Sequence, residues 1–277
     1  MGFRINTNVQ SITAQRNLNL VRNLQDRSLE RLSSGNRIVR AGDDAAGLAI
    51  SEKLKSEVRS TRQAERNASD GISLIQTAEG ALGEVSNIVI RLRELSTQSA
   101  SDTVGDQERQ FSNLEFQSLL QEVDRISSST KFNGRNLLDG QGGKVEIQVG
   151  TGSDALLDRL HYNPENTNTT SSNLGISSLG VATKEQSQAN LDQLDKALTG
   201  INENRSSLGA LQNRLASTIN NLEIKNENLS AANSRIRDTD VAEESAALTK
   251  ANILAAASTS VLAQANSSGA AALRLVS

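Results

Sequence analysis

Apolar residues recur at a strict interval of seven along the stretch between residues 184 and 236. A straight α-helix drifts away from a seven-residue repeat, so a sustained repeat indicates helices that wind around each other with a left-handed twist. The second apolar position of each heptad is less regular, because polar residues such as Arg205 and Asn226 interrupt it. The pattern predicts a long helix whose seam, the row of side chains facing a partner helix, contains Leu194, Ile201, Leu208, Leu215, Leu222, Leu229 and Ile236.

A second long helix is predicted between residues 44 and 100, where apolar and small residues alternate at intervals of three and four. The first half of this row is small, with Ala64, Ala68 and Gly71, so a partner helix can approach closely there. The second half is large and aliphatic. We predict that the two long helices pack together within one chain, through a second seam that includes Ile75, Leu82, Val85, Val89 and Leu92.

The residues between the two long helices follow other patterns. Residues 107–129 have helical apolar spacing and predict a shorter third helix. Residues 144–150 alternate between apolar and polar, which predicts a strand, and residues 155–162 are predicted to pair with it as a hairpin. Residues 163–173 contain no apolar side chain except Pro164, and they predict an exposed loop.

The two ends of the chain are similar in style, and we predict that residues 1–35 pack against residues 240–277. The predicted fold class is mainly α: an elongated antiparallel helical bundle, or coiled-coil rod, with a small β-hairpin region in the middle of the chain. Two domains are predicted. Residues 1–43 and 237–277 form a discontinuous terminal domain, and residues 44–236 form the rod, with the hairpin and loop at about 139–184.

Composition supports helix packing over a globular core. Aromatic residues are 2% of the chain, Pro occurs once, and Cys is absent, whereas compact cores of this size use more aromatic volume. The net charge of −3 does not favour nucleic acid or an anionic membrane as a partner. The N-terminal sequence MGFRINTNVQ has no apolar run typical of a signal peptide. No run of eighteen apolar residues occurs, so we expect no membrane-spanning segment.

Residues for catalysis are scarce. His161 is the single histidine, and a surface or strand histidine is commoner than a catalytic base. The chain has no zinc-protease, phosphate-loop or serine-hydrolase motif. A nucleophile and base cannot be assembled without further His or Cys residues or a paired acid. We therefore expect no enzymatic activity, no metal, no cofactor and no small-molecule substrate.

Several longer motifs resemble those of bacterial flagellin. Near the N-terminus they are Ile5-Asn6-Thr7-Asn8, Ala14-Gln15-Arg16-Asn17-Leu18, Glu30-Arg31-Leu32-Ser33-Ser34-Gly35 and Asp43-Asp44-Ala45-Ala46-Gly47-Leu48-Ala49-Ile50. Further along they are Phe132-Asn133-Gly134, Ala231-Ala232-Asn233-Ser234-Arg235-Ile236-Arg237-Asp238 and Val261-Leu262-Ala263-Gln264-Ala265-Asn266. The resemblance covers both ends and both long helices, which is nearly the whole chain except residues 150–185.

The resemblance implies a structural subunit that self-assembles into the helical flagellar filament used for swimming. It also implies flagellar type III export without a cleaved signal peptide, and an export chaperone, a filament cap and hook-junction proteins as partners. The short region 139–184 predicts a form without the variable outer domain. An alternative is a hook–filament junction protein, which has similar ends. The filament core is expected to include Ile5, Val9, Ile12, Leu18, Leu254, Val261, Leu262, Leu273 and Leu275.

A second implied role is recognition of the monomer by Toll-like receptor 5 of animals. Residues 91–100, Arg91-Leu92-Arg93-Glu94-Leu95-Ser96-Thr97-Gln98-Ser99-Ala100, resemble the receptor-contacting segment of flagellins. By position, the resemblance implies that Arg91, Leu95, Gln98 and, on the third helix, Glu115 are receptor-binding candidates. Contact between subunits is the primary role implied for the same face.

Overall fold

A computed structural model describes residues 7–274 of the chain, with side chains described as far as residue 267. The described residues form five helices and four short strands, which in chain order are α1 (Val9–Ser34), α2 (Ala45–Ser99), α3 (Asp106–Ser129), β1 (Lys131–Phe132), β2 (Arg135–Asn136), β3 (Val145–Gln148), β4 (Arg159–Tyr162), α4 (Lys184–Arg237) and α5 (Val241–Arg274). β1 pairs with β2 and β3 with β4, both antiparallel. The prediction of a mainly α fold with small antiparallel strand pairs in the middle of the chain is confirmed.

The turn between α1 and α2 is built by one glycine and two aspartates. Gly35 ends α1 with φ of 70°, a left-handed conformation that favours glycine, and its N–H donates to the Arg31 carbonyl at 2.8 Å. The Asp44 carboxylate accepts the Gly47 N–H at 2.8 Å and so caps the start of α2. The backbone N–H of Arg40 donates to the Asp43 carboxylate and lowers the pKa of that group.

The chain divides into two compact units. Residues 1–58 and 227–277 form one, called the terminal unit here, and residues 59–226 form the other, the central unit. Both α2 and α4 contribute residues to each unit. The terminal unit also contains α1 and α5, whereas the central unit contains α3 and all four strands.

The core of the central unit is built mainly from apolar side chains of α2, α3 and α4, with further residues from the β3–β4 hairpin and the loops. Two buried clusters follow one another along α2: one includes Ile75, Leu82, Leu208 and Leu215, and the other joins Phe116 of α3 to further seam residues. Every seam residue predicted on α2 has no exposed surface. On α4, Leu194, Ile201, Leu208, Leu215 and Leu222 are buried, while Leu229 and Ile236, in the terminal unit, are half-buried.

The small residues in the first half of the α2 seam accommodate the β3–β4 hairpin as well as α4. A Cβ on Gly71 would lie 2.8 Å from Cδ1 of Ile147 in β3 and 3.4 Å from Cδ1 of Leu215 in α4. The side-chain amide of Asn67 donates to the Gln148 carbonyl at 3.1 Å. The sequence pattern predicted close approach of a helix at this point, and it did not indicate that a strand shares the space.

Residues 163–173 do not form the exposed loop that their polarity predicted. Pro164, Thr167, Thr169 and Ser171 are buried, because their polar groups find partners inside the central unit. The Ser127 hydroxyl donates to the Thr169 carbonyl at 2.9 Å, and the Asp124 carboxylate accepts both the N–H and the hydroxyl of Ser171 at 2.8 Å. The prediction was wrong because polarity alone does not separate a solvated segment from one whose hydrogen bonds are satisfied internally.

Substitution of Leu215 tests the buried α2–α4 contact. Leu215→Asp places a carboxylate in a fully buried position, and we expect it to lower the free energy of unfolding by at least about 3 kcal/mol. Thermal and urea unfolding followed by circular dichroism would measure the change. Asn213→Asp, an exposed position on the same helix, is the matched control and should unfold like the parent. An unchanged melting curve for Leu215→Asp would contradict the burial of this row.

Candidate assembly and recognition surfaces

In the terminal unit, α1 and α5 lie antiparallel with a contact built largely from small residues. Among the side chains that the structure describes, the buried apolar residues of these two helices are Ala14 and Leu18 of α1 and Ala251 and Ala265 of α5. Polar contacts run along the pair. The Asn8 side chain donates to the Ala265 carbonyl at 2.8 Å, Gln25 donates to Asn252 at 2.9 Å, and Arg31 lies 3.5 Å from Glu244. Small side chains allow close packing of two helices but bury little apolar area.

The large aliphatic side chains of the same two helices remain exposed. Their relative exposure runs from 42% at Leu254 to 65% at Ile253. Clusters of exposed large apolar groups mark surfaces for interaction with another molecule. The exposed set is Val9, Ile12, Leu20, Leu24 and Leu29 on α1, with Val241, Ile253, Leu254 and Val261 on α5.

The predicted filament-core residues are therefore distributed between this exposed set and the α1–α5 contact. Leu18 is buried against α5, and Leu262 is half-buried. Val9, Ile12, Leu254 and Val261 are exposed. Ile5, Leu273 and Leu275 lie outside the residues whose side chains the structure describes.

By length and composition alone, the part of α5 from Val241 to Ser267 is long and apolar enough to cross a membrane. Only 6% of its most apolar eighteen-residue segment is buried in the folded chain. We expected no membrane-spanning segment from the sequence, since Ser, Thr and Asn interrupt the apolar residues of α5. The high content of Ala raises the mean hydropathy without a continuous aliphatic run. The low burial shows that the folded chain leaves most of the apolar surface of α5 uncovered.

In the central unit, Arg91 forms an exposed cluster with two carboxylates. Its guanidinium contacts Glu115 of α3 through two N–H groups at 3.0 and 2.9 Å, and it contacts Glu94 of α2 at 2.9 Å. Hydrogen bonds that the guanidinium donates to the two carboxylates raise the pKa of Arg91 further above its ordinary value. Both N–H groups that reach Glu115 donate to one oxygen, Oε1, and a third donates to Glu94, so the guanidinium is held between two carboxylates at the surface.

The other two predicted receptor-binding residues differ in accessibility. Gln98 is exposed on α2. Leu95 is 2% exposed and belongs to the buried cluster around Phe116. Among the four candidates, the structure thus brings Arg91 and Glu115 into contact, leaves Gln98 accessible, and places Leu95 in the core beneath them.

A shallow groove runs beside this cluster and is lined by Ile90, Arg93, Glu94, Thr97 and Gln98 of α2. Ile90 is 45% exposed in it. Arg93 reaches across to α4, where its Nε lies 2.6 Å from Oδ1 of Asp195. The hydrogen bond and the charge of Arg93 lower the pKa of the Asp195 carboxyl.

The pattern of apolar residues gave no sign of Arg109, which fixes the turn between α2 and α3. Its side chain is only 9% exposed. The guanidinium donates to the carbonyls of Ser99 and Ser101 at 2.9 Å and to the Asp106 carboxylate at 2.8 Å. The two carbonyls lie at the end of α2, where helical partners are absent. Arg109 therefore joins the end of α2 to the start of α3. The i,i+3 pairing of Asp106 with Arg109 at a helix start was the available signal.

His161 lies in β4 with Nδ1 3.7 Å from Oε1 of Glu146 in β3. Within residues 7–274, no three His, Cys, Asp or Glu side chains converge into a candidate metal site. The Arg91–Glu115 and Arg93–Asp195 contacts are ion pairs between exposed groups, and neither contains a nucleophile beside a base.

Comparisons with known proteins agree with these features. The model described as "Bacterial flagellin N-terminal helical region" matches residues 5–142, and "Bacterial flagellin C-terminal helical region" matches residues 191–276. The chain is 45% identical to a flagellin of Halalkalibacterium halodurans over 272 residues, which is 98% of this chain and 99% of that protein. It is 40% identical over 288 residues to the flagellar filament 30.7 kDa core protein of Treponema maltophilum, covering 99% of each chain.

Among solved structures, the crystal structure of Bacillus cereus flagellin superimposes with a TM-score of 0.51 at 33% identity. The match covers 57% of this chain and 88% of that chain.

The pKa of Asp195 provides a test of the Arg93 contact. A carboxyl whose pKa is depressed by folding contributes stability that is present above its unfolded pKa and is lost as pH falls through the folded value. We expect Arg93→Gln to raise the pKa of Asp195 towards its ordinary value of 3.8, as measured by carboxyl carbon NMR. Arg125→Gln is the matched control, because Arg125 pairs with Glu122 and should leave Asp195 unchanged. No shift in Arg93→Gln would contradict the contact.

Proposed function

Because the chain belongs to the bacterial flagellin family, we propose that the exposed aliphatic faces of α1 and α5 are the surfaces on which its subunits assemble. A flagellin is a subunit of the flagellar filament and not an enzyme, and this chain has that function. The observation that carries the proposal is the pattern of burial on α1 and α5. Among the described apolar side chains of these helices, three alanines and Leu18 are buried, whereas nine Val, Leu and Ile side chains are exposed.

Energetics supports this proposal. Burying one Val, Leu or Ile side chain contributes about 1.5–3 kcal/mol, and nine such side chains are exposed on α1 and α5. Neighbouring copies that cover even part of this surface would offset the loss of subunit freedom on assembly. In the proposed arrangement, residues 1–43 and 237–277 form the inner filament core, and residues 44–236 form the outer rod, with the hairpin and loop at about 139–184.

Family membership also supports a location and a set of partners. The chain functions in the bacterial flagellar filament. We propose that it arrives there through the flagellar export apparatus without a cleaved signal peptide, and that an export chaperone, the filament cap and hook-junction proteins are its partners. The alternative role as a hook-associated protein is less supported, since both family models and the closely matched relatives above are those of flagellins and filament core proteins.

Removal of α5 tests the assembly surface. We expect a chain lacking residues 240–277 to keep the helical signal and cooperative melting of the central unit, whose buried clusters contain no α5 residue. It should form no filaments on salting-out, because four of the nine exposed aliphatic side chains are gone. Electron microscopy and sedimentation would measure assembly. Filaments formed by the truncated chain would contradict the proposal.

A point variant separates loss of the surface from loss of the helix. Val261→Asp places a charge on the exposed face of α5, and we expect it to raise the protein concentration needed for polymerisation about tenfold or more, which corresponds to about 1.4 kcal/mol per contact. Val261→Leu preserves an apolar side chain and is the matched control. Equal polymerisation of the two variants would argue against an apolar contact at this position.

We also propose that the free subunit is recognised by Toll-like receptor 5 through the surface around Arg91. The support is the preformed cluster of Arg91 with Glu94 and Glu115, beside the exposed Gln98. A receptor would meet this surface without first ordering long side chains, which lowers the cost of binding. Leu95 stays a candidate, and because it is buried, its substitution would act by shifting α2 under the cluster.

Receptor signalling tests the Arg91–Glu115 contact. Glu115→Gln removes the charge that holds the guanidinium, and we expect about tenfold weaker activation by the purified monomer in a receptor reporter assay. Glu122→Gln breaks a different pair with Arg125 on the same helix and is the matched control, with activation like the parent. Equal activation by both variants, or none by the parent monomer, would refute receptor binding at this surface.

A further inference from the structure

Two leucines protrude from the loop that joins β3 to β4. Leu156 and Leu157 are 89% and 81% exposed, which is more than any other large apolar side chain among the described residues. They are called the leucine knob here. Burying each of these leucines would contribute about 1.5–3 kcal/mol of free energy. No part of the described chain covers them.

The loop holds the leucine knob in a defined position. The Asp154 carboxylate accepts the N–H groups of Leu156 and Leu157 at 2.8 and 3.3 Å. Asp154 and Asp158 are linked twice: the Asp158 N–H donates to the Asp154 carbonyl at 3.0 Å, and the Asp158 carboxylate accepts the Asp154 N–H at 3.1 Å. Gln148 donates to two further loop carbonyls, at Gly150 and Gly152. An apolar pair fixed in this way is suited to insertion into a complementary surface.

A second uncovered apolar surface lies on α3 in the same unit. Phe111 and Leu114 are 63% and 66% exposed, and their spacing of three places them side by side on one helical face. They are called the α3 patch. Phe111 is one of only four phenylalanines in the chain, and its outward position is unusual for so large an apolar group.

The leucine knob and the α3 patch are too far apart to meet within one subunit. The hairpin contacts α2 at Asn67, through the Gln148 carbonyl, and α3 contacts α2 at Arg91, through Glu115. The 24 residue steps between Asn67 and Arg91 in α2 correspond to about 36 Å along the helix. Any contact between the two surfaces is therefore made between different copies of the chain.

We propose that the leucine knob of one subunit packs onto the α3 patch of the next subunit in the filament. Such a contact joins two different surfaces, and contacts of this head-to-tail kind generate open helical polymers when the rotation between copies does not close a ring, whereas a surface that pairs with itself closes into a dimer. The geometry thus matches what a filament requires. The inference rests on the filament role of the chain and is independent of the assignment of α1 and α5 to the core.

Cross-linking can test the contact directly, because the chain contains no cysteine. Full-length L157C and L114C would be polymerised as an equal mixture and treated with a short thiol-reactive cross-linker. We expect the mixed L157C–L114C dimer to dominate in filaments and to be absent from unpolymerised protein. The double variant should give a ladder of higher oligomers. Lys196 is exposed on α4, next to Asp195, and K196C mixed with L157C is the control that should give no mixed product.

Each other outcome of cross-linking overturns the proposal. L157C dimers without the mixed product would show that the leucine knob pairs with itself, and filaments without any product would show that it faces solvent. A failure of the α1–α5 proposal is distinguishable, since it would appear as normal polymerisation of Val261→Asp and would leave these cross-links unaffected.

A second measurement does not depend on cysteine placement. Because both leucines are exposed, L156S/L157S should melt like the parent, and we expect it to need about a tenfold higher concentration to polymerise. S153A, in the same loop and also exposed, is the matched control. Normal polymerisation of L156S/L157S would overturn the proposal.

Discussion

The row of aliphatic side chains buried between α2 and α4 is the contact on which the rest of the central unit depends. Gly71, Gly80 and Gly83 each lower the intrinsic stability of α2 by up to about 1 kcal/mol, so packing has to hold this helix together. α3 completes one of the buried clusters through Phe116, and the hairpin completes the other through Ile147. The Arg91–Glu115 contact exists because this shared core fixes α2 and α3 side by side.

Polar residues within the α4 heptads fix the register in which α4 packs against α2. A strict apolar repeat can pair equally well after a slip of one heptad, whereas a polar group has few acceptable partners. The Ser51 hydroxyl donates to Asn233 at 2.7 Å, and Arg205 lies 4.0 Å from Glu79. Arg93 with Asp195 adds a third cross-helix pair. A slipped arrangement would lose these pairs, so α2 and α4 meet in one register.

The sequence allowed prediction of those features that a periodic pattern encodes. Rows of buried residues repeat with the helix, so the long helices, the buried α2 row and the hairpin were all visible in it. Features that depend on contacts between particular residues brought together by the fold were not. The internal partners of Ser171, the capping of α2 by Arg109 and the place of Ile147 against Gly71 arise from three-dimensional proximity. The candidate surfaces were partly predictable, since spacing identified Arg91 and Glu115 but could not show that Leu95 is buried.

The two units differ in where most of their large apolar residues lie, and this difference separates folding from assembly. In the central unit, large residues such as Leu82 and Ile201 are fully buried, and the leucine knob and the α3 patch are among the few large apolar groups left exposed. In the terminal unit, the α1–α5 contact buries mostly alanine, while Val9 and Ile253 remain exposed. A protein that buried all its large apolar groups on folding would gain little from polymerising. Because the terminal helices retain theirs at the surface, the free energy of their burial remains available to the polymer, while the central unit enters the filament already folded.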